Sequence, residues 1–237
     1  EQRGPRAVLS GLVLNEKGLE RGLKCGVELF CLGVSASETH SRKNTGMGTE
    51  EATRRIIGTA LEARRAGRSV QVSVQSAFGC GFEGVVPEGR VIGIVAAYLG
   101  AGLDAISLAD TAGHAHPAQV RSYVQRILAM EPTARITAHI HNTYGVGMAN
   151  VYAALDAGAT SIETSFGGLG GCPFTKVAAG NVATEDFVHG LQRAGHRTDV
   201  KLDVLIDVAR DVAKFLGRDL PGCVYRIGPI SAGAPHS

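Results

Sequence analysis

The chain has no tryptophan, only 5% aromatic residues, and no basic run longer than a few residues. It also has no apolar run long enough to cross a bilayer and no apolar core of a signal peptide near its start. The net charge is only +2, and Arg54–Arg55 and Arg64–Arg65 belong to the charged face of an evident helix. Nucleic acid and membrane are therefore not expected as partners. The five cysteines, Cys25, Cys31, Cys80, Cys172 and Cys223, are odd in number and widely spaced, with no C-x-x-C. A disulfide framework is not expected, and a reducing cytoplasm is the expected location. No G-x-G-x-x-G opens a helix after the first strand, so the dinucleotide-binding form of an open α/β sheet lacks support. The later glycines at 167, 168, 170 and 171 lead into a cysteine, not the lysine of a phosphate-binding loop.

What is present is glycine, 32 residues of it, in a chain of 237 that is 44% hydrophobic and 19% charged. That composition suits one large globular domain with many tight turns between strands and helices. Apolar, β-rich runs at 7–13, 27–34, 69–77, 105–110, 135–141 and 161–166 alternate with helical patterns near 16–25, 49–66, 88–101, 117–130 and 147–157. Pro87 and Pro117 fit first-turn helix positions, where a missing N–H costs nothing. Two more helices are expected near 184–194, with Thr184 as its cap, and 203–216. Residues 1–217 form the expected domain and 218–237 a weakly ordered tail.

Strict alternation implies a parallel sheet with right-handed crossovers, either doubly wound or part of a (β/α)₈ TIM barrel. Polar residues recur at the ends of several strands: Asp110 after AISLA, His139 and His141 after RITA, and Ser165 after SIET. That pattern favours the barrel, with about six of its eight βα units visible in this sequence.

The candidate site lies in residues 136–181. His139 and His141 are two apart, so on a strand they share a face, while Ile136, Ala138 and Ile140 face packing. Such a pair is either two buried core histidines or two imidazoles able to reach one metal ion. With an oxygen donor added, Mn²⁺, Mg²⁺, Zn²⁺ and Fe²⁺ all fit. Asn181 either caps the next helix, for which Thr184 is better placed, or offers such an oxygen. Cys172 follows four glycines within five residues and precedes Pro173, a poor setting for a core filler and a suitable one for a reactive thiol on a closing loop. Asp110 either caps the turn that follows it or serves as a base beside the site. A second His-x-His, His114 and His116 in TAGHAHP, is read as rim residues.

HIHNTYGVGMAN, GGLGGCPF and AAGNVATEDFVHGL resemble the 3-hydroxy-3-methylglutaryl-CoA lyases, metal-dependent (β/α)₈ barrel enzymes. GLGGCP is the specific part. ISLADT, FGCGFEG and SASETHSRKN resemble further family segments, and the resemblance runs from about residue 7 to about 216. It implies a carbon–carbon lyase that cleaves a 3-hydroxy-3-methylglutaryl-CoA-like acyl-CoA to acetyl-CoA and a 3-oxo acid such as acetoacetate. It implies His139, His141 and Asn181 as ligands of a divalent metal, Mg²⁺ or Mn²⁺, and Cys172, His139 and Asp110 as catalytic residues. Gly170 and Gly171 are the expected substrate-binding backbone, and a homodimer or larger homo-oligomer the expected assembly. The sequence departs from the family in three ways. LVLNEKGLERG matches the family's third βα unit, so the first two units are not visible, nor are the catalytic arginine, an aspartate ligand and a glutamate that they carry. Ala7 follows Gly4-Pro5-Arg6 where that aspartate would stand, and Gly81 replaces a usual proline. A condensing synthase or oxo-acid aldolase of the same barrel group, and a non-catalytic homologue, are the alternative readings.

Overall fold

A computed structural model describes residues 7–171 and 180–230. Its strands are β1 (Ser10–Leu12), β2 (Leu29–Ser35), β3 (Ser69–Gln75), β4 (Ala105–Asp110), β5 (Arg135–Ile140) and β6 (Ser161–Glu163). Its helices are α1 (Glu16–Lys24), α2 (Glu38–Thr45), α3 (Thr49–Arg65), α4 (Glu88–Gly100), α5 (Pro117–Met130), α6 (Gly147–Asp156), α7 (Thr184–Arg193), α8 (Leu202–Leu216) and α9 (Val224–Ile227). All the strand pairs are parallel and the sheet order is β1-β2-β3-β4-β5-β6. A doubly wound sheet reverses its order at a switch point. This one never does, which is the topology of a barrel wall.

The helices form where sequence and electrostatics agree. α3 carries Glu50 and Glu51 in its first turn and Arg64 and Arg65 in its last, opposing the helix dipole at both ends. Its buried face, Ala52, Ile56, Ala60 and Ala63, recurs at helical spacing. α1 is capped by Asn15, whose side chain accepts the Gly18 N–H at 3.0 Å.

Register divides the sheet into two chemically different faces. Phe30, Leu32, Val34, Val72, Val74, Ile106, Leu108, Ile136 and Ile140 are buried in the main core. Their neighbours in register carry the other chemistry: Cys31 pairs with Gln71, Ser107 with Thr137, and His139 with Glu163. Because side chains alternate along a strand, these residues share the face opposite the core.

That polar face is concave. Gln71 on β3 donates to Glu163 on β6 at 2.6 Å, although β4 and β5 lie between them. On a flat sheet, strands three apart lie about 14 Å from one another. A direct hydrogen bond across that span requires the sheet to curl inward as a barrel wall does. The structure is therefore a six-stranded part of a (β/α) barrel.

Several local expectations are corrected. The helix α2 was not anticipated, although Ser37 accepts the His40 N–H as its cap and Gly46 ends it in the left-handed region. Pro87 is the N-cap of α4, one position before the helix, while Pro117 does sit in the first turn of α5. Ala183 precedes α7 as its cap, and the hydroxyl of Thr184 donates instead to Thr164. Residues 161–166 are strand only to Glu163, and Phe166–Gly168 forms a 3₁₀ turn. Beyond Gly217, Leu220, Val224 and Tyr225 are buried with Ile206 and Ala209 of α8, while Ile227 and Ile230 are exposed. Among the described residues no helix is long and apolar enough to cross a membrane.

Ile136 is fully buried on the core face of the strand that carries the histidine pair. Ile136→Ala is expected to cost about 2–5 kcal/mol of stability, read as a lower urea midpoint at unchanged slope.

Candidate functional site

The concave face gathers the site. β5 delivers His139, and its chain continues into His141, which forms an isolated bridge with Asn181. The two Nε2 atoms lie 3.3 Å apart. Two imidazole nitrogens holding one ion at about 2.1 Å each would be roughly 3.0–3.4 Å apart at octahedral to tetrahedral angles. The pair therefore has the separation that a shared cation needs.

His139 is held from behind. Its Nδ1 lies 2.6 Å from Oε2 of Glu163. A carboxylate can only accept, so Nδ1 carries the proton and Nε2 presents its lone pair to the site. Burial pushes the Glu163 carboxyl up, but the hydrogen bonds from His139 and Gln71 outweigh it and hold the group below the usual carboxylate range. The other Glu163 oxygen accepts from Gln71, whose own carbonyl accepts from Thr137 at 3.0 Å.

Asn181 sits beside this pair through its bridge to His141. Its Nδ2 donates to the Leu169 carbonyl at 2.9 Å, while Oδ1 is buried without a hydrogen-bond partner. An orphaned buried carbonyl oxygen is costly, and a hard cation is one partner that would satisfy it. Among the described residues no three His, Cys, Asp or Glu converge on one point. The donor set is two imidazoles and a carboxamide, and it fits a divalent metal.

The glycines around Asn181 serve close approach. A Cβ on Gly180 would lie 1.5 Å from the Gly168 carbonyl oxygen, and one on Gly170 would lie 2.3 Å from Nδ2 of Asn181. Any side chain at either position would displace the carboxamide or the loop. Gly170 therefore packs against the Asn181 carboxamide, and Gly170 and Gly171 are both exposed. Cys172 lies outside the described residues.

Asp110 caps the turn that follows it, which is compatible with its second reading as a base. Its oxygens accept the N–H groups of His114 at 2.8 Å and Ala115 at 3.1 Å. It pairs in register with Ile140, not with His139, so it reaches the concave side only by turning at the strand's end. Burial pushes its carboxyl up to about 6, against the downward pull of the Ala115, His114 and Gly113 N–H groups. A buried carboxylate that titrates near neutrality is poised to exchange a proton. Of the second His-x-His, His116 accepts the Gln119 N–H as the cap of α5, and the His114 ring lies 5.9 Å from that of Tyr144. The two do not form a pair.

Sequence reasoning missed Glu163, Gln71 and Thr137. The signal was available for Glu163: it is the only ionisable residue in SIE, the short strand run that follows the His-x-His strand. FGCGFEG and SASETHSRKN meet in space, with Glu83 accepting the Thr39 N–H at 2.5 Å and Cys80 and Gly84 bridging to close the first loop.

The HMGL-like family model matches residues 2–212. Hydroxymethylglutaryl-CoA lyase YngG of Bacillus subtilis is 38% identical over 212 residues, covering 90% of this chain and 71% of that protein. The (R)-citramalyl-CoA lyase of Chloroflexus aurantiacus is 38% identical over 221 residues, covering 93% of this chain and 70% of that protein. A solved HMG-CoA lyase from Acinetobacter baumannii, in complex with coenzyme A and 3-methylmalate, superposes with a TM-score of 0.91 at 34% identity, covering 100% of this chain and 77% of that one. On the family match and these likenesses, the chain belongs to the HMGL-like family and is a lyase enzyme.

Proposed function

We propose that the chain is a divalent-metal-dependent carbon–carbon lyase that cleaves a 3-hydroxy-3-methylglutaryl-CoA-like thioester to acetyl-CoA and a 3-oxo acid. The observation that carries this reading is the His139–His141 pair, 3.3 Å apart at Nε2 with Nδ1 of His139 tied to Glu163. The acyl-CoA class follows relatives that act on hydroxymethylglutaryl-CoA and citramalyl-CoA. The branched six-carbon acyl group follows the lyase likenesses and the GLGGCP loop.

His139, His141 and the Oδ1 of Asn181 would hold Mg²⁺ or Mn²⁺. A divalent cation there would polarise the substrate's tertiary hydroxyl and lower its pKa. Asp110 takes the hydroxyl proton. The oxygen's electrons form the new carbonyl as the bond between carbons two and three breaks. That bond's electron pair passes to the thioester as an enolate. Cys172 returns a proton to carbon two, and acetyl-CoA and the 3-oxo acid leave. Backbone N–H groups at Gly170 and Gly171 would orient the acyl group. A reducing cytoplasm suits a mechanism that needs Cys172 as a free thiol, and a homo-oligomer is the proposed assembly.

Cys172→Ala is expected to lower kcat by roughly 10²–10⁴-fold while leaving coenzyme A affinity within a few-fold, as read by steady-state kinetics and calorimetry. Unchanged turnover would remove the thiol from the chemistry. For Asp110 the sign is fixed by its role. As a base it must be ionised, and its carboxyl titrates at about 6. The kcat/KM of the wild type is therefore expected to fall tenfold per unit below an acid limb at or under about pH 6, where a bound cation would draw it lower, and to level off above it. In Asp110→Asn the residual rate, down roughly 10²–10⁴-fold, is expected to lose that acid limb.

A further inference from the structure

Glu163 is tied at both oxygens to different parts of the wall. Oε1 accepts from Gln71 on β3 at 2.6 Å and Oε2 lies 2.6 Å from Nδ1 of His139 on β5. Gln71 in turn has its carbonyl fixed by the Thr137 hydroxyl at 3.0 Å. Thr137 stands two residues before His139 on the same face of the same strand. The four side chains therefore close a loop: β5 to β3 through Thr137 and Gln71, β3 to β6 through Gln71 and Glu163, and β6 back to β5 through His139. Each member has one remaining orientation. The Thr137 hydroxyl donates to the Gln71 carbonyl, which leaves the Gln71 amide to donate to Glu163. With that oxygen occupied, the second one faces Nδ1 of His139.

We infer that Glu163 is a positioning residue of this enzyme: anchored by Gln71 and Thr137, it selects the Nδ1–H tautomer of His139 and aims Nε2 at the metal position. The inference rests on the metallolyase reading. Glu163 touches neither the proposed substrate nor the cation, and it acts through His139. A metal-bound histidine whose second nitrogen is held by a carboxylate loses roughly 10–100-fold in metal affinity when that support is removed.

The rival is a purely structural role, in which Glu163 only braces the curved sheet through Gln71. The two roles separate by variant. Glu163→Ala removes both contacts. Gln71→Leu cuts the brace and leaves the His139 contact. Glu163→Gln can keep both contacts as a neutral group, because the Gln71 amide and the Thr137 hydroxyl can reverse donor and acceptor together. Mn²⁺ binding to the purified chain, followed by the loss of the free-ion electron paramagnetic resonance signal, is expected to weaken 10–100-fold in Glu163→Ala. It should weaken by no more than a few-fold in Gln71→Leu and by less than tenfold in Glu163→Gln. Thermal melting of each variant reports the bracing separately.

A second readout needs no metal. Ring ¹⁵N shifts of the metal-free wild type should show His139 protonated at Nδ1, and Glu163→Ala should lose that preference. An Nε2–H tautomer in the wild type overturns the inference. So does Mn²⁺ affinity in Glu163→Ala within two-fold of the wild type, or equal losses in Glu163→Ala and Gln71→Leu that track their melting temperatures. A wild type that binds no Mn²⁺ removes the metallolyase reading instead, and the tautomer measurement then decides for Glu163 alone.

Discussion

The hydrogen bond between Gln71 and Glu163 sets the terms for the rest of the structure. It spans four strands' width with two side chains, at 2.6 Å. It can exist only on a sheet curled toward its polar face. Once the sheet curls, the residues that alternate away from the core no longer meet solvent on a flat surface. They converge. His139, His141, Glu163, Gln71 and Thr137 come from three strands and a strand end, yet form one connected group. The functional centre is a consequence of barrel curvature applied to an ordinary period-2 pattern.

The energetic logic of the two faces differs. The convex face is apolar and buried, and stabilises the wall by removing Ile, Val, Leu and Phe side chains from water. The concave face spends polar groups in a partly enclosed space, where each unpaired one is expensive. Most are paired with one another. The Oδ1 of Asn181 is left over, beside the histidine pair. A site with one unpaired carbonyl oxygen beside two imidazoles at cation spacing has chemistry still to be satisfied, and a divalent cation would satisfy it.

The fold was legible from the sequence because its signals are local and redundant. Six apolar runs separated by helical patterns leave few topologies, and the strand-end polar residues separate a barrel from a doubly wound sheet. α2 escaped because its sequence, ETHSRKNT, has almost no apolar stripe, and only its Ser37 cap and Gly46 stop betray it. Within the site, His139, His141 and Asn181 were legible as donor types at strand ends. Their support was not. Gln71 and Thr137 are unremarkable residues on strands, and their partnership with Glu163 depends on curvature, which no window of sequence encodes. Asp110 illustrates a different limit. Cap and base need the same carboxylate at the same strand end, and only the structure shows both oxygens engaged by the following loop.

The central claim is that the two Nε2 atoms of the HIH strand share one divalent cation. Electron spin-echo modulation of the Mn²⁺-loaded chain counts the imidazole nitrogens on the metal directly. Two are expected in the wild type and one in His141→Ala. A bound Mn²⁺ that shows no imidazole nitrogen, or the same count in both proteins, would contradict the claim.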